Sequence, residues 1–299
     1  MPIHNFTSAR LPALLELFGS LGSWDSQGRE LAVQTFKGVL LQPWLEPEEN
    51  CFLLEEDGQV LGYCLVAPEL PIGRSVLQFD VLPELAGGPM ERDLLRCGVN
   101  RARKLGVKVA HVCVVDPSSK PGLLQNEGFY HVRSYWEMLW QHKELEESDV
   151  PAGFSVRSFQ PGDAGVLTAA QNAAFEGSWG FCPNTVEQVE YRSSMVDTSK
   201  QGILLLNHGD KTAGYCWTCV SPLQGGTRGV IGMIGVVPDY RGQGMSRTVL
   251  LEGMKYLRSI NVADIGLEVD GNNTPAIRLY HSVGFVKVGE RQWFERLTS

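Results

Sequence analysis

A short glycine-rich loop follows an apolar strand in the C-terminal half of the chain and opens a helix. Glycines let the backbone approach a ligand closely, and the unpaired N–H groups of a helix's first turn attract an anion with the help of the helix dipole. The spacing is not that of a dinucleotide fingerprint, and no Gly-Lys-Ser/Thr closes the loop as in a P-loop. The pattern is that of an anion site, and a pyrophosphate would suit the loop Arg241-Gly242-Gln243-Gly244-Met245-Ser246.

A second motif lies downstream of this loop, at Asn273-Thr-Pro-Ala-Ile-Arg-Leu-Tyr280 followed by Gly284-Phe285. Together with Arg241, Gly244 and Ser246, which occupy the three key places of a cofactor signature, it resembles the GNAT superfamily of N-acetyltransferases. Serine stands at the last place, where the signature has Gly or Ala. The resemblance covers the C-terminal half of the chain. It implies an acetyl-CoA-dependent N-acyltransferase that modifies a primary amine and needs no metal.

The resemblance also implies which residues hold acetyl-CoA. In the family, backbone groups at the end of the apolar strand pair with the pantetheine arm, and the matching residues here are Ile234, Gly235 and Val236. The loop from Arg241 to Arg247 would hold the pyrophosphate. Asn273 is a further candidate for a cofactor contact, and its alternative role is to cap the helix that follows, which is the commoner use of Asn at such a place.

Acyl transfer from a thioester to an amine needs a base to free the amine and an acid to protonate the leaving thiolate. By its motif position, Tyr280 resembles the family's tyrosine beside the cofactor sulfur, which acts as general acid; the alternative is a packing role. The strand from Gly229 to Val236 contains no carboxylate. Glu268 is therefore the candidate base, as in family members that acetylate ribosomal-protein N-termini. A solvent-facing carboxylate, with water removing the proton, stays open as the alternative.

Two aromatic residues, Trp179 and Phe181, follow a predicted helix in the region that usually lines the acceptor pocket of the family. They are candidates for an apolar wall beside the substrate, and core packing is the alternative for both. The acceptor implied is a small-molecule amine or a peptide N-terminus.

The elements that must position these residues occur twice in the chain. Three pairs of markers recur in the same order at offsets of 152, 155 and 156 residues: Gly62-Tyr63-Cys64 with Gly214-Tyr215-Cys216, Val81-Leu82-Pro83 with Val236-Val237-Pro238, and Gly128-Phe129 with Gly284-Phe285. Periodicity predicts, in the second copy, a hairpin over 203–220, a strand over 230–236, a helix over 244–260, a strand over 265–269 and a helix over 274–282. The fold class is therefore α+β, as two tandem GNAT-like domains, each a central mixed, mostly antiparallel sheet flanked by helices.

The first copy has lost the residues of the cofactor motif. Ala86 stands where the second copy has Arg241, and Leu124 replaces Tyr280. Pro89 replaces Gly244 and so removes a backbone donor that a pyrophosphate would need. The sequence predicts a degenerate GNAT-like domain over 1–145 and a domain with the acetyl-CoA site over 146–299, joined by a charged linker near 142–148. This arrangement is similar to that of the mycothiol synthases, a tandem branch of the superfamily.

The 299 residues, of which 43% are hydrophobic and 20% charged, suit two globular domains. Residues 1–148 carry 20 acidic against 13 basic side chains, and neither half shows a dense basic run, so we expect no nucleic-acid partner. Neither a secretory signal nor a membrane-length apolar segment is evident, and we expect a cytoplasmic monomer or homodimer without a membrane contact. The seven cysteines are irregularly spaced, which favours reduced thiols and no metal site.

Two functions from other classes remain open at this point. A CoA-binding regulatory module without turnover is favoured by the missing carboxylate before the loop. Peptidyl transfer from an aminoacyl-tRNA, known in other tandem relatives, would need a basic RNA-binding surface, which the acidic first half argues against.

Overall fold

The structure is a computed structural model that describes residues 2–115, 120–141 and 144–298. It contains two compact units: unit 1 comprises Met1–Tyr135 and Glu290–Ser299, and unit 2 comprises Trp136–Gly289. His142 and Lys143 of the predicted linker lie outside the described residues.

The strands are β1 Ile3–Asn5, β2 Cys51–Glu56, β3 Gln59–Glu69, β4 Arg74–Val81, β5 Val109–Val114, β6 Tyr130–Trp140, β7 Phe154–Ser158, β8 Thr198–His208, β9 Lys211–Leu223, β10 Gly226–Val236, β11 Asp264–Asp270 and β12 Phe285–Leu297. The helices are α1 Leu11–Leu21, α2 Ser26–Leu40, α3 Pro47–Asn50, α4 Pro89–Lys104, α5 Pro121–Asn126, α6 Ala164–Phe175, α7 Val186–Arg192, α8 Met245–Ser259 and α9 Thr274–Val283. Short 3₁₀ turns lie at Ser8–Arg10, Leu70–Ile72, Pro83–Leu85 and Pro238–Tyr240.

Each unit contains a mixed sheet, and the strands of the two sheets that correspond in chain order are paired in the same way. In unit 1 the strand order is β1-β2-β3-β4-β5-β12, and in unit 2 it is β12-β6-β11-β10-β9-β8-β7. The pairs β4–β5 and β10–β11 are parallel, whereas β1–β2, β2–β3, β3–β4, β5–β12, β7–β8, β8–β9 and β9–β10 are antiparallel. The prediction of an α+β class with mostly antiparallel sheets flanked by helices is confirmed.

The two long hairpins form where turn residues interrupt apolar strands. Asp57 and Gly58 join β2 to β3 with φ angles of 48° and 83°, a left-handed pair typical of tight hairpins. Gly209, with φ of 56°, does the same between β8 and β9. The hairpin β8–β9 begins earlier and ends later than the predicted 203–220, because the alternating pattern fades where the strands become half-exposed.

Helices cover both faces of the sheet in unit 2. The apolar face of α8 packs on β8, β9 and β10 around Val249, Leu250, Met254 and Leu257, all completely buried. On the other face, α6 packs on β9 and β10 through Leu167 and Ala170. The sheet is therefore fixed between two layers, and the loop between β10 and α8 is held at both ends.

Unit 1 buries a titratable histidine in its sheet. His111 on β5 is only 4% exposed, and its Nε2 lies 2.8 Å from Oε2 of Glu295. Its Nδ1 lies 3.4 Å from a guanidinium nitrogen of Arg74. Burial lowers the pKa of His111, and the Arg74 charge adds to the lowering, while the contact with Glu295 opposes it.

This lowered pKa predicts that the free energy of unfolding of unit 1 decreases in mild acid. Between the native pKa and the unfolded value of about 6.5, the unfolded chain binds more protons than the native chain, so stability falls as the pH falls. The His111→Gln variant should lose this part of the pH dependence when urea midpoints are measured from about pH 7 to about pH 5. The exposed His131→Gln variant is the control and should keep it. A His111→Gln profile that runs parallel to the wild-type profile would contradict the prediction.

In the described parts of the chain, no helix is both long and apolar enough to cross a membrane. Among the same residues, no group of three or more His, Cys, Asp or Glu side chains is arranged to hold a metal ion.

Candidate active site

The loop between β10 and α8 has the backbone shape that its glycines permit. After the 3₁₀ turn at Pro238–Tyr240, Gly242 and Gly244 adopt φ angles of 74° and 82°, which side chains disfavour. A Cβ added at either glycine would meet no atom within 4 Å. Backbone conformation, and not crowding inside the protein, therefore requires glycine at both positions, and the space beside them is open.

The start of α8 presents backbone donors without partners. Gly244 is the N-cap and makes no side-chain capping bond, and the first turn contains no acidic residue. Nothing in the described chain accepts a hydrogen bond from the N–H groups of Met245 and Ser246. An anion bound here would satisfy these donors and interact favourably with the dipole of a 15-residue helix.

The two arginines of the loop have protein partners. Nε of Arg241 donates to the carbonyl oxygen of Val236 at 3.1 Å, and its NH2 donates to that of Ala174 in α6 at 2.8 Å. Arg247 donates to Oγ of Ser282 at 2.9 Å and pairs with Glu146. In this structure both side chains therefore brace the loop against its surroundings, and a direct contact with the pyrophosphate stays a prediction. Gln243 likewise bonds within the loop, to the carbonyl of Asp239 at 3.2 Å.

A gap opens between β10 and β11 just before the loop. Their parallel pairing ends at Ile231 and Leu267, and the β9–β10 register shifts at the next residue, Gly232, which is exposed. Beyond this bulge β10 pairs with β9 through Ile234, Gly235 and Val236. Among the described strands, none pairs with these three residues on the β11 side. The backbone groups of this segment on the β11 side are thus available to an extended ligand, except the carbonyl oxygen of Val236, which accepts from Arg241.

Tyr280 lies in α9 and is 6% exposed. Burial raises its pKa well above the ordinary value, and the thiol of Cys216 contributes further. The hydroxyl therefore keeps its proton at neutral pH, as a general acid must. Its ring packs edge-on against Phe285, with 6.0 Å between the ring centroids.

Glu268 is exposed on β11, one residue after the last pair that β11 forms with β10. Burial raises the pKa of the Cys219 thiol to about 12, and the nearby carboxylates of Asp197 and Glu268 add to the rise. Glu268 therefore lies near Cys219, whereas Tyr280 lies near Cys216 on the same strand. The candidate acid and the candidate base accordingly face different parts of the gap.

The remaining predicted residues make contacts within the protein itself. The side-chain oxygen of Asn273 accepts from the N–H of Ala276 at 3.2 Å, so Asn273 caps α9, and a cofactor contact stays a prediction. Trp179 and Phe181 are half-buried between α6 and α7, and the Phe181 ring lies 5.4 Å from that of Phe175. Phe181 thus shares in packing, and the role of both residues beside a substrate stays a prediction.

Two residues near the gap were missed by sequence reasoning. Asp197, just before β8, has a buried Oδ1 without a hydrogen-bond partner among the described residues, and burial raises its pKa. The segment around it carries no motif that could have marked it. Tyr215 on β9 is completely buried, and its hydroxyl also lacks a described partner. The repeated Gly-Tyr-Cys marker includes this residue, but the repeat alone does not reveal an unsatisfied hydroxyl.

In unit 1 the corresponding cleft is filled by the protein's own charges. The N–H of Gly87, the counterpart of Gly242, donates to Oε2 of Glu91 at 2.7 Å. Nζ of Lys120 lies 3.4 Å from the other oxygen of Glu91 and donates to Oδ1 of Asp80 at 2.7 Å. It also donates to the carbonyl oxygen of Phe79, the counterpart of Ile234, at 2.6 Å. A carboxylate and an ammonium thus take the backbone groups that unit 2 leaves open.

Comparison with known proteins shows which family this chain resembles. The model of the acetyltransferase (GNAT) family matches residues 166–285. A mycothiol acetyltransferase of Thermobispora bispora is 31% identical over 253 residues, which are 81% of this chain and 82% of that protein. The same enzyme of Pseudarthrobacter chlorophenolicus is 30% identical over 240 residues, 77% of this chain and 72% of that protein.

Solved structures resemble this chain along its whole length. A tandem GNAT protein from the clavulanic acid biosynthesis pathway superposes with a TM-score of 0.72 at 16% identity, covering 100% of this chain and 98% of the other. A GCN5-related N-acetyltransferase from Sphaerobacter thermophilus gives a TM-score of 0.72 at 20% identity, with coverages of 99% and 95%. At these identities the likeness extends to the fold alone.

Proposed function

Since the chain belongs to the GNAT family of acetyltransferases, we propose that it transfers an acetyl group from acetyl-CoA to a primary amine of a small molecule, in unit 2. One observation carries the proposal: the segment Ile234–Val236, which β11 does not pair, leads directly to the uncapped start of α8, with Tyr280 buried nearby. An extended arm ending in a pyrophosphate matches that sequence of donors and acceptors. When bound, acetyl-CoA supplies the acetyl thioester.

Each candidate residue then has a defined task in the reaction. Glu268, or a water that it orders, accepts a proton from the amine so that the nitrogen can attack. The Tyr280 hydroxyl gives its proton to the departing thiolate sulfur, which the raised pKa of the phenol allows because the proton is still present at neutral pH. The phenol is restored by a proton from solvent or from the acylated amine.

The contrast with unit 1 supports placing the activity in unit 2. In unit 1, Glu91 supplies an anion to the loop N–H, and Pro89 lacks a donor. Lys120 bonds the strand carbonyl at Phe79. A second acetyl-CoA would have to displace these charged contacts, so we propose one cofactor site per chain.

Two carboxylates favour a positively charged acceptor. Asp197 has an oxygen without a described partner, and Glu268 is exposed at the same end of the gap. An amine arrives as an ammonium ion and would be attracted to this negative region before it loses its proton. The curated relatives are named for acetylation in mycothiol, which makes their amine substrate the first compound to test.

The proposal is tested by incubating the chain with acetyl-CoA and a panel of primary amines while free CoA thiol is measured. The panel should contain the amine that mycothiol acetyltransferases acetylate, several amino sugars and amino-acid derivatives, and a peptide with a free N-terminus. We expect amine-dependent thiol release with a small molecule. Saturable CoA binding without amine-dependent release would instead support a binding module without turnover, and fastest release with the peptide would overturn the small-molecule assignment.

The loop makes a separate prediction that does not need the acceptor. Alanine at Gly244 must hold a left-handed φ at a cost of about 1–2 kcal/mol, so the loop should relax and its N–H groups should turn away from a common focus. We expect Gly244→Ala to weaken CoA binding by about tenfold or more, a loss of roughly 1.4 kcal/mol. The shift of the thermal midpoint on titration with CoA measures this.

Gly225→Ala is the matched control, because Gly225 has the same φ of 82° as Gly244 and nothing lies within 4 Å of a Cβ added there. It lies in the β9–β10 turn, at the end of β10 opposite to the loop. It should lower the midpoint of the free protein without changing the CoA response. Equal CoA responses of the two variants would contradict the assignment of the loop.

A further inference from the structure

The Gly-Tyr-Cys marker places one tyrosine at the same position of each sheet. Tyr63 on β3 and Tyr215 on β9 are both 0% exposed. Tyr63 pairs across to Asp80 on β4, and Tyr215 pairs across to Gly235 on β10. The two residues are therefore equivalent in register, and the surroundings of their hydroxyl groups can be compared directly.

The two hydroxyl groups differ in their hydrogen-bond partners. The Tyr63 hydroxyl accepts a hydrogen bond from Nε2 of Gln78 at 2.9 Å. Gln78 lies two residues before Asp80 on β4, and the residue at the equivalent place on β10 is Met233. A thioether is at best a weak acceptor, and the Tyr215 hydroxyl has no partner among the described residues. Unit 2 has thus kept the tyrosine and lost its partner.

A completely buried hydroxyl without a partner is costly for a folded protein, since water cannot satisfy it. Phenylalanine would fill the same space without that cost. The hydroxyl of Tyr215 therefore needs an explanation outside the stability of the free protein.

The ring of Tyr215 lies against the strand segment that borders the gap. A Cβ added at Gly235 would lie 2.9 Å from Cε1 and 3.3 Å from Cζ of Tyr215. Because Gly235 lacks a side chain, the phenol can extend across β10 towards the side where β11 no longer pairs. Burial is the main cause of the raised pKa of Tyr215, and Tyr280 lies close enough to add an electrostatic contribution to the rise. The contact of the ring with Gly235 and the proximity of Tyr280 both place the Tyr215 hydroxyl beside the proposed transfer site.

We propose that the Tyr215 hydroxyl is a cofactor-binding group, which donates a hydrogen bond to a carbonyl oxygen of the acyl-pantetheine arm where that arm passes Gly235. This inference rests on the proposed function, because it needs acetyl-CoA in unit 2. The carbonyl belongs either to the thioester or to an amide of the pantetheine, and both are acceptors of the same kind. No bond is made or broken by Tyr215. It holds the arm, and Tyr280 transfers the proton.

The test compares Tyr215→Phe with Tyr63→Phe in the full chain, measuring thermal midpoints without ligand and binding of CoA and of acetyl-CoA. Tyr63→Phe removes the hydrogen bond that Gln78 donates to the buried hydroxyl and should lower the midpoint by about 2–4 °C, with binding unchanged. Tyr215→Phe should leave the midpoint unchanged or raise it, because it removes an unsatisfied group. It should weaken binding of acetyl-CoA by about tenfold, the value of one lost hydrogen bond.

The two ligands identify the carbonyl. Equal weakening for CoA and acetyl-CoA assigns the bond to a pantetheine amide, and weakening for acetyl-CoA alone assigns it to the thioester. Unchanged binding of both ligands overturns the proposal, as does a midpoint loss equal to that of Tyr63→Phe, which would show a partner within the free protein. If the wild-type chain binds neither ligand, the proposed function fails first, and the two failures are thereby distinguished.

Discussion

Replacement of Tyr280 by phenylalanine is expected to lower kcat by a factor of about 10² to 10⁴, the usual contribution of a general acid. The ring is 6% exposed and packs on Phe285, so phenylalanine preserves the packing and removes only the hydroxyl. Without a proton donor the thiolate must leave as an anion in a buried site, where a charge is poorly solvated. Binding of acetyl-CoA should change little, because the loop and the strand backbone make the contacts that we propose for it.

The measurement is steady-state release of thiol with saturating acetyl-CoA and the best amine, accompanied by CoA binding to the same variant. Tyr256→Phe is the matched control: Tyr256 is also a tyrosine of unit 2 that packs against the core, and it lies in α8 beside Gly202. Its kcat should equal that of the wild type. A Tyr280→Phe enzyme with full kcat would leave Tyr280 as a packing residue and would assign the proton to water.

The repeated architecture was predictable because it depends on local patterns. The predicted helix over 244–260 is α8, Met245–Ser259, and the predicted strand over 265–269 is β11, Asp264–Asp270. The family resemblance, carried by the loop and by the motif ending at Gly284-Phe285, is likewise confirmed by the matches to GNAT proteins. In these segments the hydrophobic period, the glycines and the helix stop all indicate the same structure.

The composition of the units was not predictable in the same way. β6 contributes Trp136–Trp140 to unit 2, and β12 contributes Glu290–Leu297 to unit 1. The alternation of apolar and polar residues along a strand indicates which side chains are buried. It does not indicate which strand lies beside it, so the sequence does not show which sheet the strand joins. The internal repeat, with its nearly constant offset, likewise does not show that a strand of one copy joins the sheet of the other unit.

The site was predictable in its backbone and less so in its side chains. The sequence has glycines at 242 and 244, and the loop has at both places the left-handed φ that glycine adopts readily. The contacts of Arg241 with two carbonyl oxygens, and the oxygens of Asp197 and Tyr215 that lack a described partner, depend on which residues meet across strands and helices. Such meetings follow from register and packing, which one sequence does not specify residue by residue.

The second large effect concerns the filled cleft of unit 1. Replacement of Lys120 by methionine should decrease the free energy of unfolding of unit 1 by about 3–5 kcal/mol, the usual cost of removing one partner of a buried ion pair. Glu91 is 2% exposed and would remain as a buried carboxylate, with the N–H of Gly87 as its one described donor. Asp80 is more exposed and can be solvated, so the loss arises mainly from Glu91. Urea unfolding, followed by a probe in unit 1, measures it.

A double-mutant cycle separates this effect from lost packing of the lysine stem. Glu91→Gln keeps an oxygen that can accept from Gly87 and removes the charge, so Lys120→Met combined with Glu91→Gln should recover most of the lost stability. If the double variant is as unstable as Lys120→Met alone, the lysine stabilises unit 1 through its packing on Phe79 and not by neutralising Glu91. Recovery of stability together with an unchanged number of CoA molecules bound per chain would show that Lys120 stabilises unit 1 by neutralising Glu91, and that removal of the two charges does not create a second CoA site. A second equivalent of CoA bound by the double variant would instead show that these charges alone keep the cofactor out of unit 1.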